Sequence, residues 1–209
     1  MPRKSKILSI TPYRKNTYKI ITSSGDDFSA PEEVLLKMSL KEGGELSDSD
    51  INLLKSSMDY FKVRNMALTL LDYRMRSKKE LELKLIKKGN DKNIISKVLV
   101  DLEDQGWVND EKFCLAFGRD QINRNSIGPI SLKYKLKEHI DSLSFIEELS
   151  DRIYSELNIE NIIMKVLVKC NPEKLKKEEA QKRKIINKLK RKGHYWQDIN
   201  EALNKYLDY

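Results

Sequence analysis

The segment that decides the fold is residues 77–89, SKKELELKLIKKG, because its pattern returns near the other end of the chain as residues 181–193, QKRKIINKLKRKG. Each copy has two apolar residues four positions apart and a glycine four positions later: Leu81, Leu85 and Gly89, then Ile185, Leu189 and Gly193. Apolar residues four apart lie on one face of a helix, and a glycine after them is typical of a helix end. The pattern therefore predicts the same one-sided helix at two places in the chain.

A third copy lies between these two, so that the pattern repeats with a period of about 52 residues. Its apolar positions are Leu132, Leu136 and Ile140, without the glycine. Further apolar positions recur in all three copies: Ile95, Ile146 and Ile199; Val98, Leu149 and Ala202; Leu102, Ile153 and Tyr206. Each copy is also predicted to have an earlier helix, at residues 65–73, 110–123 and 159–170. A period of this length indicates tandem modules, and each module is predicted to contain three helices.

The beginning of the chain has a different pattern. Residues 7–10 and 17–22 are rich in β-branched side chains, and residues 24–27, SGDD, have turn chemistry, which predicts a small hairpin or a three-stranded flap. Ser47 followed three residues later by Asp50 resembles a capping box and predicts the start of a long helix that runs to about Tyr73.

The predicted fold is mainly α, with tandem three-helix repeats forming an elongated array and a small N-terminal β-containing flap. The predicted boundaries are 1–60 for the flap and the start of the long helix, 61–109 for module 1, 110–158 for module 2 and 159–209 for module 3. Further helix starts are predicted at Ser77-x-x-Glu80, at Ser144-x-x-Glu147 and at Asn171-Pro172.

The net charge of +8 comes from one segment. The chain has 40 Lys and Arg against 32 Asp and Glu, and residues 174–192 alone contain ten basic and two acidic residues. On a helical wheel Arg183, Lys184, Lys188 and Arg191 lie opposite the apolar positions of this segment. A helix face with so few interspersed acids favours an anionic ligand, either phosphate or an acidic protein groove, over simple solvation.

Other classes of protein have little support in the sequence. Cys114 and Cys170 have no motif around them and are interpreted as small buried hydrophobes in a reducing compartment. His139 and His194 are far apart, and no phosphate loop, zinc-ligand spacing or nucleophile motif is present. No apolar run is long enough to span a membrane. We therefore predict a cytoplasmic protein that is not an enzyme, with no catalytic residues, metal, cofactor or membrane contact.

Several stretches, in order and at the repeat spacing, carry a family resemblance. They are Arg74-Met75-Arg76-Ser77 with Glu80-Leu81, Lys84-Leu85 and Lys88-Gly89; Asp110-x-x-Phe113; Arg124-x-x-x-Gly128-Pro129; and Lys182-Arg183-Lys184 with Leu189-Lys190-Arg191-Lys192-Gly193. Together they resemble the RecX family of recombinase regulators over nearly the whole chain. Glu138-His139-Ile140 departs from the family pattern, which usually has a glycine at this helix end.

The resemblance implies a regulator that docks in the groove of a RecA-type recombinase filament. The tandem modules predict that it is a monomer, and single- or double-stranded DNA is a further predicted partner. Such a regulator limits filament growth, ATP hydrolysis and strand exchange. The candidate contact residues are Arg74, Arg76, Lys84, Lys88, Arg124, Arg183, Lys184, Lys188 and Arg191. Two alternatives stay open: a general DNA- or RNA-binding helical protein that contacts phosphates, and a purely structural scaffold.

Overall fold

The structure is a computed structural model that describes residues 4–14 and 16–208. The strands are β1 (Ser5–Arg14), β2 (Thr17–Thr22), β3 (Asp27–Pro31) and β4 (Glu45–Leu46). The helices are α1 (Glu32–Lys37), α2 (Asp48–Tyr73), α3 (Lys78–Lys87), α4 (Lys92–Asp104), α5 (Asp110–Asn125), α6 (Pro129–Leu136), α7 (Leu143–Leu157), α8 (Ile159–Leu167), α9 (Pro172–Lys177), α10 (Glu179–Arg191) and α11 (Trp196–Asp208). The predicted fold class, mainly α with a small N-terminal sheet, is confirmed.

The N-terminal sheet has one strand more than the predicted flap. Its antiparallel order is β3-β2-β1-β4, and the fourth strand is only two residues long, with Leu46 opposite Ser5 and Glu45 opposite Lys6. A strand of two residues is too short to show a sequence periodicity. It forms through its pairing with β1, which is a contact between residues distant in the sequence. Beneath the sheet, a separate core contains Ile7, Ile20 and other apolar residues.

The long helix α2 confirms the predicted capping box. The Ser47 hydroxyl accepts a hydrogen bond from the Asp50 amide at 3.2 Å, and the Asp50 carboxylate accepts one from the Ser47 amide at 2.8 Å. These two bonds satisfy amides that a helix start would leave without partners. The helix ends at Tyr73, as predicted, and Arg74 is extended.

The repeated apolar positions are core positions. All of the recurring residues are buried except Tyr206, which is half-buried and donates a hydrogen bond from its hydroxyl to the Cys170 carbonyl at 2.7 Å. The buried residues form two clusters, one mainly in module 2 and one in module 3. Ile162 of module 3 belongs to the first cluster, and Ile159 packs against both. The helical phase of the repeats therefore identifies the buried side of each helix.

Two helix starts differ from the sequence-based prediction. Helix α7 begins at Leu143 and is capped by Ser142, whose hydroxyl accepts from the Phe145 amide at 3.4 Å, so the prediction of a cap at Ser144 was wrong. Ser144 matches the spacing rule but lies inside the first turn. In module 3, Asn171 and Pro172 begin a helix as predicted, but α9 is only six residues long and is additional to the three expected helices.

The chain divides into two compact units. Unit 1 contains the described part of Met1–Arg74 together with Glu82–Leu102, and unit 2 contains Met75–Leu81 and Glu103–Tyr209, described as far as residue 208. Modules 2 and 3 both belong to unit 2, whereas α3 contributes residues to each unit. Within residues 4–14 and 16–208, no helix combines the length and apolar character needed to cross a bilayer.

Candidate partner-binding surface on helix α10

Helix α10 forms where the sequence has neither glycine nor proline over thirteen residues. Ile185 and Leu189 face inward and join the module 3 core. Basic residues in the last turn, including Lys188 and Arg191, are favourable at the negative end of the helix dipole. Gly193, at φ +86°, adopts the left-handed conformation that follows the helix.

The outer face of α10 carries the predicted basic residues. Arg183, Lys184, Lys188 and Arg191 are all exposed. Arg183 lies 3.5 Å from Glu179 in an exposed pair one helical turn apart, a geometry that contributes little to stability. Among the described residues, Lys184, Lys188 and Arg191 have no acidic partner. We call Arg183, Lys184, Lys188 and Arg191 the α10 basic face.

Two neighbouring features extend the α10 basic face. A cavity of about 330 Å³ is lined by Lys174 of helix α9 and by Lys184 and Lys188 of α10. On the other side, the Lys190 ammonium lies 4.9 Å from the centre of the Trp196 ring, which is half-exposed. Lys174 and Lys190 lie in the same basic segment but were not predicted as contact residues. The helical wheel of α10 shows neither the position of α9 nor the contact between Lys190 and Trp196.

The C-terminal end of α10 is joined to the turn between α5 and α6. The Gly128 amide donates to the Lys192 carbonyl at 2.7 Å, and the Ile130 amide donates to the Gly193 carbonyl at 3.1 Å. The Lys192 ammonium donates to the Asn125 carbonyl. We call this contact between the α5–α6 turn and residues 192–194 the module 2–3 joint. It uses mainly backbone groups, so it connects the two modules through atoms that side-chain substitution cannot remove.

The two titratable side chains at the joint are both partly desolvated. His194 is buried, and its Nε2 donates to the Ser126 carbonyl at 2.9 Å while its Nδ1 has no partner among the described residues. Burial lowers the pKa of His194 below its usual value, so the ring is neutral at neutral pH. Burial also lowers the pKa of Lys192, and the nearby charges of Lys188 and Lys169 lower it further. Lys192 therefore belongs to the joint more than to the outer surface.

The other predicted contact residues are distributed over both units. Arg124 is exposed at the end of α5, 2.7 Å from Asp120, and precedes Asn125 of the joint. Arg74 and Lys88 are exposed and Lys84 is half-buried, and all three belong to unit 1. The structure therefore brings Arg124 and the α10 basic face into unit 2, and places the remaining exposed candidates in unit 1.

Arg76 has a different environment from the other predicted contact residues. Its side chain is 7% exposed and forms an ion pair with Glu80, which is 15% exposed. Removing one partner of such a buried ion pair strongly destabilises the fold, because the other charge would stay desolvated without a partner. Arg76 is therefore placed to hold the start of α3, and its burial removes it from the set that a partner can contact.

The described residues contain no grouping of three or more His, Cys, Asp and Glu side chains that could hold a metal ion. Cys170 is only half-buried, contrary to the prediction, whereas Cys114 is fully buried, as predicted, and burial raises the pKa of its thiol to about 12. It is therefore protonated at neutral pH and a poor nucleophile. His139 packs against two aromatic rings, with ring centres 5.1 Å from Phe113 and 4.9 Å from Phe117.

The fold and this surface define a class of protein: a helical protein of tandem small modules with an N-terminal sheet and a strongly basic outer helix. The sequence model of a family described as RecX, first three-helix domain, matches residues 64–102. Regulatory protein RecX of Bacillus velezensis is 34% identical over 204 residues, covering 95% of this chain and 76% of the relative. Regulatory protein RecX of Bacillus subtilis is 33% identical with the same coverage. The chain belongs to the RecX family of regulatory proteins.

Solved structures agree with this assignment. A crystal structure of regulatory protein RecX superposes with a TM-score of 0.79 at 21% identity, covering 96% of this chain and 99% of the other, which shows the shared fold. The crystal structure of RecX from Lactobacillus salivarius gives a TM-score of 0.62 at 25% identity, covering 72% of this chain and 97% of the other.

Proposed function

We propose that this protein regulates a RecA-type recombinase by binding in the groove of its nucleoprotein filament, where it limits filament growth, ATP hydrolysis and strand exchange. Family membership supports a regulatory role, since the relatives are named as regulatory proteins. The observation that carries the proposal is the α10 basic face, on which Lys184, Lys188 and Arg191 have no acidic partner among the described residues.

The geometry of α10 suits a groove with negative charge. Thirteen helical residues extend over about 20 Å. Lys184, Lys188 and Arg191 are four and three positions apart and Arg183 directly precedes Lys184, so the basic residues follow one side of the helix. A filament offers anions of two kinds, DNA phosphates and carboxylates of its subunits. An exposed guanidinium or ammonium group can pair with either kind.

The proposal assigns the protein a binding role without catalysis, in the cytoplasm and as a monomer. No phosphate-binding loop or nucleophile-base pair is apparent in the sequence, and the thiol of Cys114 is buried and protonated. ATP or DNA hydrolysis that copurifies with this chain and is lost when the chain is mutated would contradict the assignment.

General nucleic-acid binding is the second candidate, and the same unpaired lysines favour it. A protein that binds chiefly to phosphates should bind naked DNA, and its affinity should fall steeply as the salt concentration rises. A filament regulator should instead act at concentrations at which binding to the same DNA without recombinase is weak.

The test is recombinase ATPase activity on single-stranded DNA, titrated with the wild-type chain at two salt concentrations. Binding of the chain to the same DNA alone is measured in parallel. We expect inhibition that saturates below the concentration needed to coat naked DNA. Inhibition that only follows coating of the DNA would favour the second candidate, and no effect on either DNA or recombinase would favour a structural scaffold.

A further inference from the structure

We propose that Gly128 and Gly193 are positioning residues that fix α10 on module 2, and that this fixed orientation presents the α10 basic face to the partner. The inference rests on the proposed function and assigns to that function two residues that touch no ligand. It concerns the module 2–3 joint, where the α5–α6 turn meets the residues that follow α10.

Position 128 requires glycine because another segment of backbone approaches it closely, and not because of its own backbone conformation. Its φ of −92° and ψ of 174° are accessible to any residue. A Cβ at this position would lie 2.4 Å from the Gly193 carbonyl carbon and oxygen and 2.4 Å from the His194 amide nitrogen. These are backbone atoms, so no side chain can rotate to relieve the overlap. Only glycine allows the hydrogen bond from the Gly128 amide to Lys192 at its present length.

Gly193 combines two requirements. Its φ of +86° favours glycine, and a Cβ would also lie 2.4 Å from the backbone nitrogen and the hydroxyl of Ser131. Gly89 occupies the equivalent repeat position in module 1 at φ +79°, but a Cβ there would meet nothing within 4 Å. The comparison separates the two roles: Gly89 serves a helix end alone, whereas Gly193 serves a helix end and a contact between modules.

The joint sets the direction of α10 because it begins immediately after the helix. Arg191 is the last helical residue, and Lys192 and Gly193 supply the carbonyls that the α5–α6 turn binds. On the other side, the turn is held to the module 2 core by the Tyr154 hydroxyl, which is buried and donates to the Ile127 carbonyl at 2.7 Å. The α10 basic face is thereby connected to the module 2 core through a short series of hydrogen bonds.

Both glycines of the joint are buried, and Ile127, next to Gly128, belongs to the module 2 cluster. The glycines themselves contribute no side chain to the cluster of module 2 or of module 3. Loosening the joint should therefore leave both modules folded while α10 samples several orientations. Apparent affinity falls in proportion to the population of the competent orientation, so a competent fraction of about one tenth raises the required concentration about tenfold.

The experiment compares Gly128→Ala with Gly106→Ala in the full chain. Gly106 ends α4 at φ +75°, and a Cβ there meets nothing within 4 Å, so this control strains a helix end without touching the joint. Hydrogen exchange of the Ile130 amide reports whether the joint is open, because this amide donates to Gly193. Binding of inorganic tripolyphosphate, a small anion that needs only a local cluster of charges, reports the integrity of the α10 basic face.

We expect Gly128→Ala to melt cooperatively, to lose protection at the Ile130 amide and to bind tripolyphosphate as the wild type does. It should require at least about tenfold more protein for half-inhibition of recombinase ATPase. Gly106→Ala should inhibit at wild-type concentrations. His194→Leu, which removes the bond to Ser126 but retains a buried side chain, is the milder variant if Gly128→Ala fails to fold, and should change inhibition in the same direction.

Three outcomes would overturn the positioning role. These are unchanged inhibition by a variant whose Ile130 amide has lost protection, a parallel loss of tripolyphosphate binding, and an equal loss of inhibition in Gly106→Ala. Failure of the wild-type chain to inhibit recombinase would overturn the proposed function itself. The two failures are therefore distinguishable.

Discussion

Neutralising the α10 basic face should weaken partner binding without unfolding the protein. The change replaces Arg183, Lys184, Lys188 and Arg191 together by Gln. All four side chains are exposed, and among the described residues the ion pair lost on this face is the one between Arg183 and Glu179, whose side chains are 75% and 69% exposed. The free energy of unfolding should therefore change by less than about 1 kcal/mol.

The expected loss of binding follows from the same four groups. If each cation makes one exposed ion pair with the partner, each contributes about 0.2–1 kcal/mol, and the four together about 1–4 kcal/mol. The concentration for half-inhibition should then rise by about fourfold to several hundredfold. The association rate should fall as well, because rim charges steer diffusional encounter.

The assay is recombinase ATPase on single-stranded DNA, with thermal melts of the same preparations. A matched control neutralises four exposed lysines outside α10, Lys37, Lys41, Lys62 and Lys112, and so lowers the net charge equally. Normal melting combined with inhibition at wild-type concentrations would show that the α10 basic face is merely solvated. Equal loss in the control would show that total charge, and not this face, determines binding.

Three further predictions concern the rest of the chain. Leu189→Ala should lower the free energy of unfolding by about 2–5 kcal/mol, because Leu189 is fully buried in the module 3 core; a change below about 1 kcal/mol in denaturant titrations would contradict that placement. Burial lowers the pKa of His194 in the native state, so below pH about 6.5 the unfolded chain binds the extra proton and stability falls with falling pH. Melts of His194→Gln should show a weaker decline over that range, and an identical pH profile would exclude this residue as its source. Tandem modules predict an elongated monomer, whose radius of gyration from small-angle scattering should exceed the value of about 17 Å for a compact chain of 209 residues.

The helical phase of the modules could be predicted from the sequence because it depends on local periodicity. Leu81, Leu132 and Ile185 recur in step and are all buried, since one face of each helix must meet its neighbours. The capping pair Ser47 and Asp50 located the start of α2 because both partners lie within one turn. The exposure of the α10 basic face followed from the same wheel that identified its buried side.

What the sequence did not show depends on contacts between distant residues. The two-residue strand β4 exists through its pairing with β1. Arginine is a residue type usually found at the surface, so the sequence predicted an exposed Arg76. Its burial arises from packing around its ion pair with Glu80. The module 2–3 joint brings the backbone of Gly128 against the backbone of Gly193. A periodic pattern of side chains cannot predict such a contact between backbone atoms. The Arg124-x-x-x-Gly128-Pro129 motif marked the position but did not indicate what the glycine approaches.

The division of the chain into two units has a consequence for its synthesis. Residues 75–81 belong to unit 2, but the next segment, Glu82–Leu102, belongs to unit 1. Unit 1 is complete in sequence once residue 102 has been synthesised, whereas the rest of the unit that contains residues 75–81 begins only at residue 103. A chain truncated near residue 102 would therefore contain all residues of unit 1 together with residues 75–81, which belong to unit 2. Fragments intended for expression should accordingly start before Met75 if they are to contain all of unit 2.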